Sequence, residues 1–158
     1  MNVQFIDLSE QYQTIKGQVD SGLKGVFERG DFILGKEAQA FEREFAQYCG
    51  VRYGIGVNSG TDALYLALAA LDITVGDEVI VPSLTFVATA NAVTYTGATP
   101  VFADISGEED LGISPEAIRA ATTINTKAIT VMHYGGNMCD MPAIIAVARE
   151  RGLAVIED

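Results

Sequence analysis

A short polar turn ahead of a helical sequence is the first place where this chain can bind an anion. Residues 58–64, Asn-Ser-Gly-Thr-Asp-Ala-Leu, follow the apolar run 53–57. The first amides of a helix lack intrahelical partners and lie at the positive end of its dipole. Gly60 and Thr61 can therefore offer amides and a hydroxyl to a phosphate. The alternative is that Ser59 or Thr61 simply caps the helix, and the local sequence leaves both interpretations open.

Three further side chains that can take part in binding or catalysis follow other apolar runs. Asp158 ends the run 153–157, where its carboxylate can meet a cationic nitrogen of a ligand or act as a plain strand-end residue or helix cap. Phe86 opens a predicted helix and can lie flat on an aromatic ligand, although most buried phenylalanines only pack. His133 can do acid–base work or be a hydrogen-bonded structural residue. Glu157 is predicted to face away from Asp158, so we do not expect the two to form a catalytic dyad.

Several other chemistries lack their sequence patterns. Cys49, Cys139 and the single histidine do not have the spacing of a zinc site, so no metal is expected and both thiols are predicted to be buried and reduced. There is no phosphate-binding P-loop and no hydrolase nucleophile elbow, and Gly54 and Gly56 do not continue into a dinucleotide fingerprint. The net charge of −11 makes nucleic acid a poor partner.

Composition favours one well-packed domain rather than two. The chain has 158 residues, of which 49% are apolar. No run of about 18 apolar residues occurs, and the first residues lack the order of a signal peptide. We therefore expect a soluble, cytoplasmic protein with no membrane partner.

The elements that must position these side chains follow from hydrophobic periodicity. Residues 1–50 are predicted to form a helical segment, with amphipathic helices at 9–29 and 36–49. From residue 51 to residue 158, short runs that are apolar on both faces alternate with helices, a pattern typical of a parallel α/β sheet covered on both sides. Ligands of such sheets gather at the carboxyl ends of the strands. The predicted strands are 53–57, 78–81, 99–103, 127–132 and 153–157, and the predicted helices are 61–71, 85–96, 115–121 and 141–151.

Four spaced motifs, taken together, resemble one family. They are residues 58–64, the Gly-Asp-Glu-Val-Ile-Val-Pro-Ser-Leu-Thr-Phe-Val-Ala-Thr sequence at 76–89, residues 97–102, and Val-Ile-Glu-Asp at 155–158. In this order they resemble the DegT/DnrJ/StrS family of pyridoxal-phosphate-dependent nucleotide-sugar aminotransferases, over a length from Phe5 to Asp158. The resemblance implies an incomplete large domain of the fold type I pyridoxal-phosphate transferases, with a mostly parallel sheet flanked by helices.

The same resemblance assigns roles to individual residues. It implies that Gly60 and Thr61 hold the cofactor phosphate, with Ser59 as a further contact. It implies that Phe86 stacks on the pyridine ring and that Asp158 pairs with the protonated ring nitrogen. A carboxylate in that position keeps the ring cationic, so that it can accept electrons during amino transfer.

The family's Schiff-base lysine has no counterpart in this chain. In the family it lies downstream of the aspartate, and none of the four lysines, Lys16, Lys24, Lys36 and Lys127, matches it. We therefore expect the amino-terminal part of a longer chain, inactive by itself. The resemblance also implies that two later strands separate the 53–57 strand from the other four. An unpaired strand leaves backbone groups unsatisfied, so a chain of this extent is not expected to be stable alone as a complete domain.

The function implied by the resemblance is transfer of an amino group to a keto-sugar carried on a nucleotide. The expected donor is glutamate, and residues 5–12 favour a dTDP-3-keto-6-deoxyhexose as acceptor. Deoxysugar or cell-surface polysaccharide biosynthesis is the implied role, and a homodimer is implied as well. Two alternatives stay open: a sugar dehydratase of the same family, which has histidine in place of the lysine, and a non-catalytic truncated scaffold.

Overall fold

The computed structural model describes residues 5–158 and contains two compact units. One unit ends at Gly56 and the other spans Val57–Asp158. The domain boundary predicted after residue 50 stays a prediction, since compactness alone does not define a folding domain.

The first unit is built on two helices, α1 (Leu8–Arg29) and α2 (Lys36–Cys49). Asp7 caps α1 by accepting a hydrogen bond from the amide of Glu10 at 3.1 Å. Gly30 ends the helix in the left-handed conformation, with φ of 71°, which only glycine adopts cheaply. Both predicted helices are confirmed, and their aromatic faces are exposed. On α2, for example, the rings of Phe41 and Phe45 stack with centroids 5.4 Å apart.

A four-stranded parallel sheet forms the centre of the second unit. Its strands are β1 (Glu78–Pro82), β2 (Thr99–Ala103), β3 (Thr126–Val131) and β4 (Ala154–Glu157), in the order β2-β1-β3-β4. In the central register Ile80 lies opposite Val101 on one side and Ile129 on the other, and Ile129 lies opposite Val155. The predicted α/β class and its parallel sheet are confirmed.

Helices pack on both faces of this sheet, which explains why its strands are mainly apolar on both sides. Successive β1 residues face opposite sides. Val79 and Val81 pack with α3 (Gly60–Ala70) and α4 (Val87–Tyr95), whereas Ile80 packs with α5 (Pro115–Ala121) and α6 (Met141–Arg151). A short 3-10 turn, Tyr134–Gly136, follows β3. The six helices and these four strands lie within two residues of their predicted bounds.

The predicted strand at 53–57 does not form, and this prediction was wrong. The side chains of Tyr53 and Ile55 are 68% and 77% exposed. The segment follows α2 instead: the amide of Gly56 donates to Oε1 of Glu42 at 2.8 Å. Strand structure needs a neighbouring strand to complete its hydrogen bonds, and no strand among the described residues pairs with this run. A β-rich sequence is therefore not sufficient here.

The two thiols differ in their surroundings. Both cysteines are free, but only Cys139 is buried, whereas Cys49, the last residue of α2, is exposed, so the prediction of two buried thiols was wrong for Cys49. Across residues 5–158, no three His, Cys, Asp or Glu side chains come together closely enough to hold a metal ion. In the same range, no helix combines the length and the apolar character that a membrane crossing requires.

Candidate functional site

The candidate site lies at the carboxyl ends of the parallel strands of the second unit. Asp158 directly follows β4, and Phe86 lies between the end of β1 and the start of α4. The carboxyl ends of α3 and α4 line one surface depression, with contributions from Ala69 and Tyr95. The two helices therefore run side by side in the same direction. Their amino ends lie near the carboxyl ends of the strands, where Asp158 is found.

At the amino end of α3, Ser59 caps the helix, and the two residues that follow it keep free hydrogen-bond donors among the described residues. Ser59 is the N-cap: its Oγ accepts from the amide of Asp62 and donates to Oδ2 of the same residue, each at 3.1 Å. The amides of Gly60 and Thr61 and the hydroxyl of Thr61 have no hydrogen-bond partner among the described residues. A Cβ atom built on Gly60 would meet nothing within 4 Å, so the space in front of it is open. Ser59 is thus the cap, and its contact with the cofactor stays a prediction.

Phe86 is not a core residue. It occupies the N-cap position of α4 with extended backbone, φ −76° and ψ 144°, and its carbonyl accepts from the amide of Thr89 at 3.1 Å. Its side chain is 68% exposed at the carboxyl edge of the sheet. The core interpretation was therefore wrong, and the face of the ring is available to a planar ligand. The stacking role itself stays a prediction.

Asp158 is held at both its backbone and its carboxylate. Its amide donates to the carbonyl of Val131 at 2.7 Å, which continues the β3–β4 ladder beyond Glu157. Its Oδ2 accepts from Oγ1 of Thr89 at 2.7 Å, and Oγ1 of Thr89 lies 2.8 Å from Oγ1 of Thr85. Sequence reasoning missed both threonines. Their signal was a pair of hydroxyls four residues apart at the start of a helix that follows a strand.

His133 belongs to the opposite side of β4. Its Nδ1 accepts from the amide of Cys139 at 3.3 Å, and its Nε2 lies 3.2 Å from Oε2 of Glu157. These partners assign the proton of the neutral ring to Nε2 and favour the structural interpretation of this histidine. Glu157 thus faces His133 while Asp158 faces Thr89, so the prediction that these two side chains point to opposite faces is confirmed.

The sequence profile of the DegT/DnrJ/EryC1/StrS aminotransferase family matches residues 13–158. The chain belongs to this family. The predicted family is therefore confirmed, and with it the expectation of pyridoxal phosphate as the family's cofactor.

Individual DegT/DnrJ/EryC1/StrS relatives match nearly the whole chain. It is 46% identical to the UDP-N-acetyl-3-dehydro-alpha-D-glucosamine 3-aminotransferase of Acidithiobacillus ferrooxidans, with 99% of this chain and 42% of the relative covered. The structure of Streptomyces venezuelae DesV, in complex with a ketimine intermediate, superposes with a TM-score of 0.95 at 41% identity, covering 98% of this chain and 42% of DesV. A Bacillus subtilis protein, ntda, with the cofactor PMP bound, gives 0.92 at 34% identity, covering 99% and 36%.

The chain spans about two fifths of the length of the curated relatives it matches, 42% in the case of the Acidithiobacillus enzyme. Further relatives are named for a dTDP-linked amino sugar, for GDP-perosamine and for spore coat polysaccharide biosynthesis. The names of these relatives therefore include sugars linked to UDP, dTDP and GDP.

The donor set of the site fits the cofactor of the DegT/DnrJ/EryC1/StrS family. Two amides and a hydroxyl at the start of α3, which no other described residue contacts through a hydrogen bond, suit a phosphate. An exposed aromatic ring and a carboxylate whose Oδ1 has no partner in the described part of the chain suit a cationic pyridine ring. These chemically different groups lie at one edge of the sheet.

Proposed function

We propose that this chain forms the phosphate-binding and ring-binding part of a pyridoxal-phosphate-dependent nucleotide-sugar aminotransferase. The observation that carries the proposal is the placement of Asp158 and Phe86. They lie 72 positions apart in sequence, yet the Asp158 carboxylate is hydrogen-bonded to Thr89, whose amide is bonded to the carbonyl of Phe86. A carboxylate and an exposed aromatic face are thereby held by the same helix start.

Each residue has a defined task in this proposal. Gly60 and Thr61 bind the phosphate through amides at the positive end of the α3 dipole, with the Thr61 hydroxyl as a further donor. Phe86 covers one face of the ring and excludes water from it. Oδ1 of Asp158 accepts a hydrogen bond from the protonated ring nitrogen and so keeps the proton on that nitrogen. When bound, pyridoxal phosphate supplies the electron sink on which amino transfer depends.

The acceptor we propose is a nucleotide-linked 3-keto-sugar, with glutamate as the amino donor. Relatives named for 3-amino or 3-oxo sugars support the position of the keto group. They carry both UDP and dTDP, so the preference for a dTDP-3-keto-6-deoxyhexose rests on residues 5–12. Deoxysugar and cell-surface polysaccharide biosynthesis, the homodimer and the cytoplasmic location also stay predictions.

For the 158-residue chain by itself we propose the non-catalytic alternative. In Val57–Asp158 the sole lysine is Lys127. It lies at the amino end of β3, whereas Asp158 lies at the carboxyl end of the neighbouring strand. The lysine amine of this unit is therefore at the end of the sheet opposite the candidate site. The dehydratase alternative differs at the position of the family's Schiff-base lysine, where that enzyme has histidine instead of lysine.

The test is amino transfer by the full-length gene product. The protein is incubated with pyridoxal phosphate, dialysed, and scanned for an absorbance band at about 410–430 nm that borohydride removes, the signature expected of a lysine-bound cofactor. It is then assayed for 2-oxoglutarate release from glutamate with UDP- and dTDP-linked 3-keto-sugars in parallel. A retained band together with release supports the proposal. Full-length protein that retains no cofactor, or that dehydrates the sugar without consuming glutamate, contradicts it.

A further inference from the structure

Thr89 is a buried threonine of α4 whose hydroxyl bonds outside its own helix. Its side chain is 1% exposed. Helical threonines commonly return their hydroxyl to a carbonyl of the preceding turn. Thr94 and Thr96 do this, each at 2.8 Å, to the carbonyls of Asn91 and Val93. Thr89 instead reaches Asp158, 69 residues away in sequence. Its hydroxyl is therefore committed to the site.

The direction of the hydrogen bonds follows from the carboxylate. An ionised carboxylate can only accept, so Thr89 donates its proton to Oδ2 of Asp158 at 2.7 Å. The oxygen of Thr89 is then an acceptor, and the hydroxyl of Thr85 donates to it at 2.8 Å. The two hydroxyls form one directed chain that ends on the carboxylate. Oδ1 of Asp158 has no partner in the described part of the chain and remains for one cationic N–H donor.

The rest of the structure fixes only the backbone of Asp158. The amide is bonded to β3 through Val131, and the carbonyl accepts from the amide of His133 at 3.5 Å. Neither contact limits rotation of the exposed carboxylate. Among the described residues, Thr89 is its one hydrogen-bond partner. Loss of that hydroxyl would release the carboxylate without removing its charge.

We propose that Thr89, backed by Thr85, is a positioning residue that orients the Asp158 carboxylate toward the ring nitrogen of the cofactor. This inference rests on the proposed function. It adds that the ring-binding aspartate is preorganised from the helix that also carries Phe86, so that the aromatic face and the carboxylate move as one body. Preorganised partners bind with less loss of conformational freedom on association.

The experiment compares Thr89→Val with Thr89→Ser in the full-length gene product. Valine keeps the shape of threonine and removes the hydroxyl, whereas serine keeps the hydroxyl. Thr94→Val on the exposed side of the same helix is the matched control. Affinity of the apoprotein is measured by equilibrium dialysis for pyridoxal phosphate and for its analogue with carbon in place of the ring nitrogen. The melting temperature of each apoprotein is recorded alongside.

Thr89→Val is expected to weaken pyridoxal phosphate binding by about tenfold, the loss typical of one hydrogen bond to a charged group. It should leave binding of the carbon analogue within about twofold of wild type, because that analogue offers no N–H to Asp158. Thr89→Ser and Thr94→Val should bind both ligands like wild type. A merely structural role of Thr89 would weaken both ligands equally.

Equal loss for both ligands overturns the inference, as does unchanged binding of pyridoxal phosphate to Thr89→Val or failure of serine to restore it. If Thr89→Val does not fold, Thr85→Val decides: it should lose about twofold to fourfold for pyridoxal phosphate alone, as expected for a neutral hydrogen bond one step removed. Equal binding of Thr85→Val and wild type then overturns the inference. Wild-type protein that binds no pyridoxal phosphate overturns the proposed function itself, which separates the two failures.

Discussion

Nε2 of His133 lies 3.2 Å from Oε2 of Glu157, on the side of β4 opposite the carboxylate of Asp158. The adjacent acidic residues at the end of this strand therefore serve different surroundings. Glu157 contacts His133, which also accepts a hydrogen bond from the amide of Cys139, whereas Asp158 belongs to the candidate site. This separation follows from the alternation of side chains along a strand.

We predict that His133 supports the fold rather than amino transfer. His133→Ala should lower the free energy of unfolding by about 1–2 kcal/mol, because the part-buried amide of Cys139 loses its acceptor. His133→Asn should recover part of this loss, since its side-chain oxygen can take the place of Nδ1. Denaturant unfolding of the full-length gene product measures both. A large fall in kcat with unchanged stability in His133→Asn would show a chemical role instead.

Phe86→Ala is predicted to weaken pyridoxal phosphate binding by about threefold to tenfold, the contribution typical of one aromatic pair. Its melting temperature should stay near wild type, because Phe86 is 68% exposed and fills no core. Phe102→Ala is the matched control, since Phe102 on β2 is 58% exposed and has no proposed contact with the cofactor. Equilibrium dialysis measures the affinity. Equal effects of the two variants would contradict stacking by Phe86.

Ser59 is predicted to contribute to stability, and Thr61 is predicted to contribute to binding of the cofactor phosphate. Ser59→Ala should cost about 1 kcal/mol of stability, the usual value of an N-cap, with little change in cofactor affinity. Thr61→Val should weaken pyridoxal phosphate several-fold and leave binding of pyridoxal, which has no phosphate, unchanged. Unfolding curves and dialysis with both ligands measure this. A phosphate-specific loss in Ser59→Ala would show that Ser59 contacts the cofactor as well.

Asp158→Asn is predicted to reduce kcat for amino transfer by about 10²-fold or more, because an amide cannot keep a proton on the ring nitrogen through its charge. The variant keeps an oxygen that can accept from Thr89, so its melting temperature should stay close to wild type. Steady-state assays of the full-length gene product with glutamate measure kcat. Activity of Asp158→Asn within about twofold of wild type would remove Asp158 from the chemistry and, with it, the main argument for the proposed function.

Glycine-to-alanine substitutions are predicted to have opposite signs at two positions in the first unit. A Cβ atom on Gly54 would lie 2.6 Å from the carbonyl oxygen of Glu42, so Gly54→Ala should destabilise by about 1–3 kcal/mol. A Cβ atom on Gly17, inside α1, would meet nothing within 4 Å, so Gly17→Ala should stabilise by about 0.5–1 kcal/mol. Thermal unfolding measures both. Equal effects would contradict the close approach at Gly54.

The sequence alone was sufficient for the elements whose signals are local. Glycines in left-handed conformation end α1, α2 and α6 where the periodicity stops. The four strands were recognisable because runs that are apolar on both faces suit only a covered parallel sheet. The motifs around Gly60, Phe86 and Asp158 identified the family, which the profile match confirmed.

Tertiary structure decided what depends on partners distant in sequence. The run at 53–57 has β-rich composition, but a strand is defined by the neighbour that completes its hydrogen bonds, and the described residues provide none. The exposure of Phe86 and the hydrogen bond from Thr89 to Asp158 arise only when α4 packs on the sheet with its first turn near the end of β4. Composition and periodicity describe each segment by itself. The pairing of a buried hydroxyl with a carboxylate 69 residues away exists only once the sheet has formed.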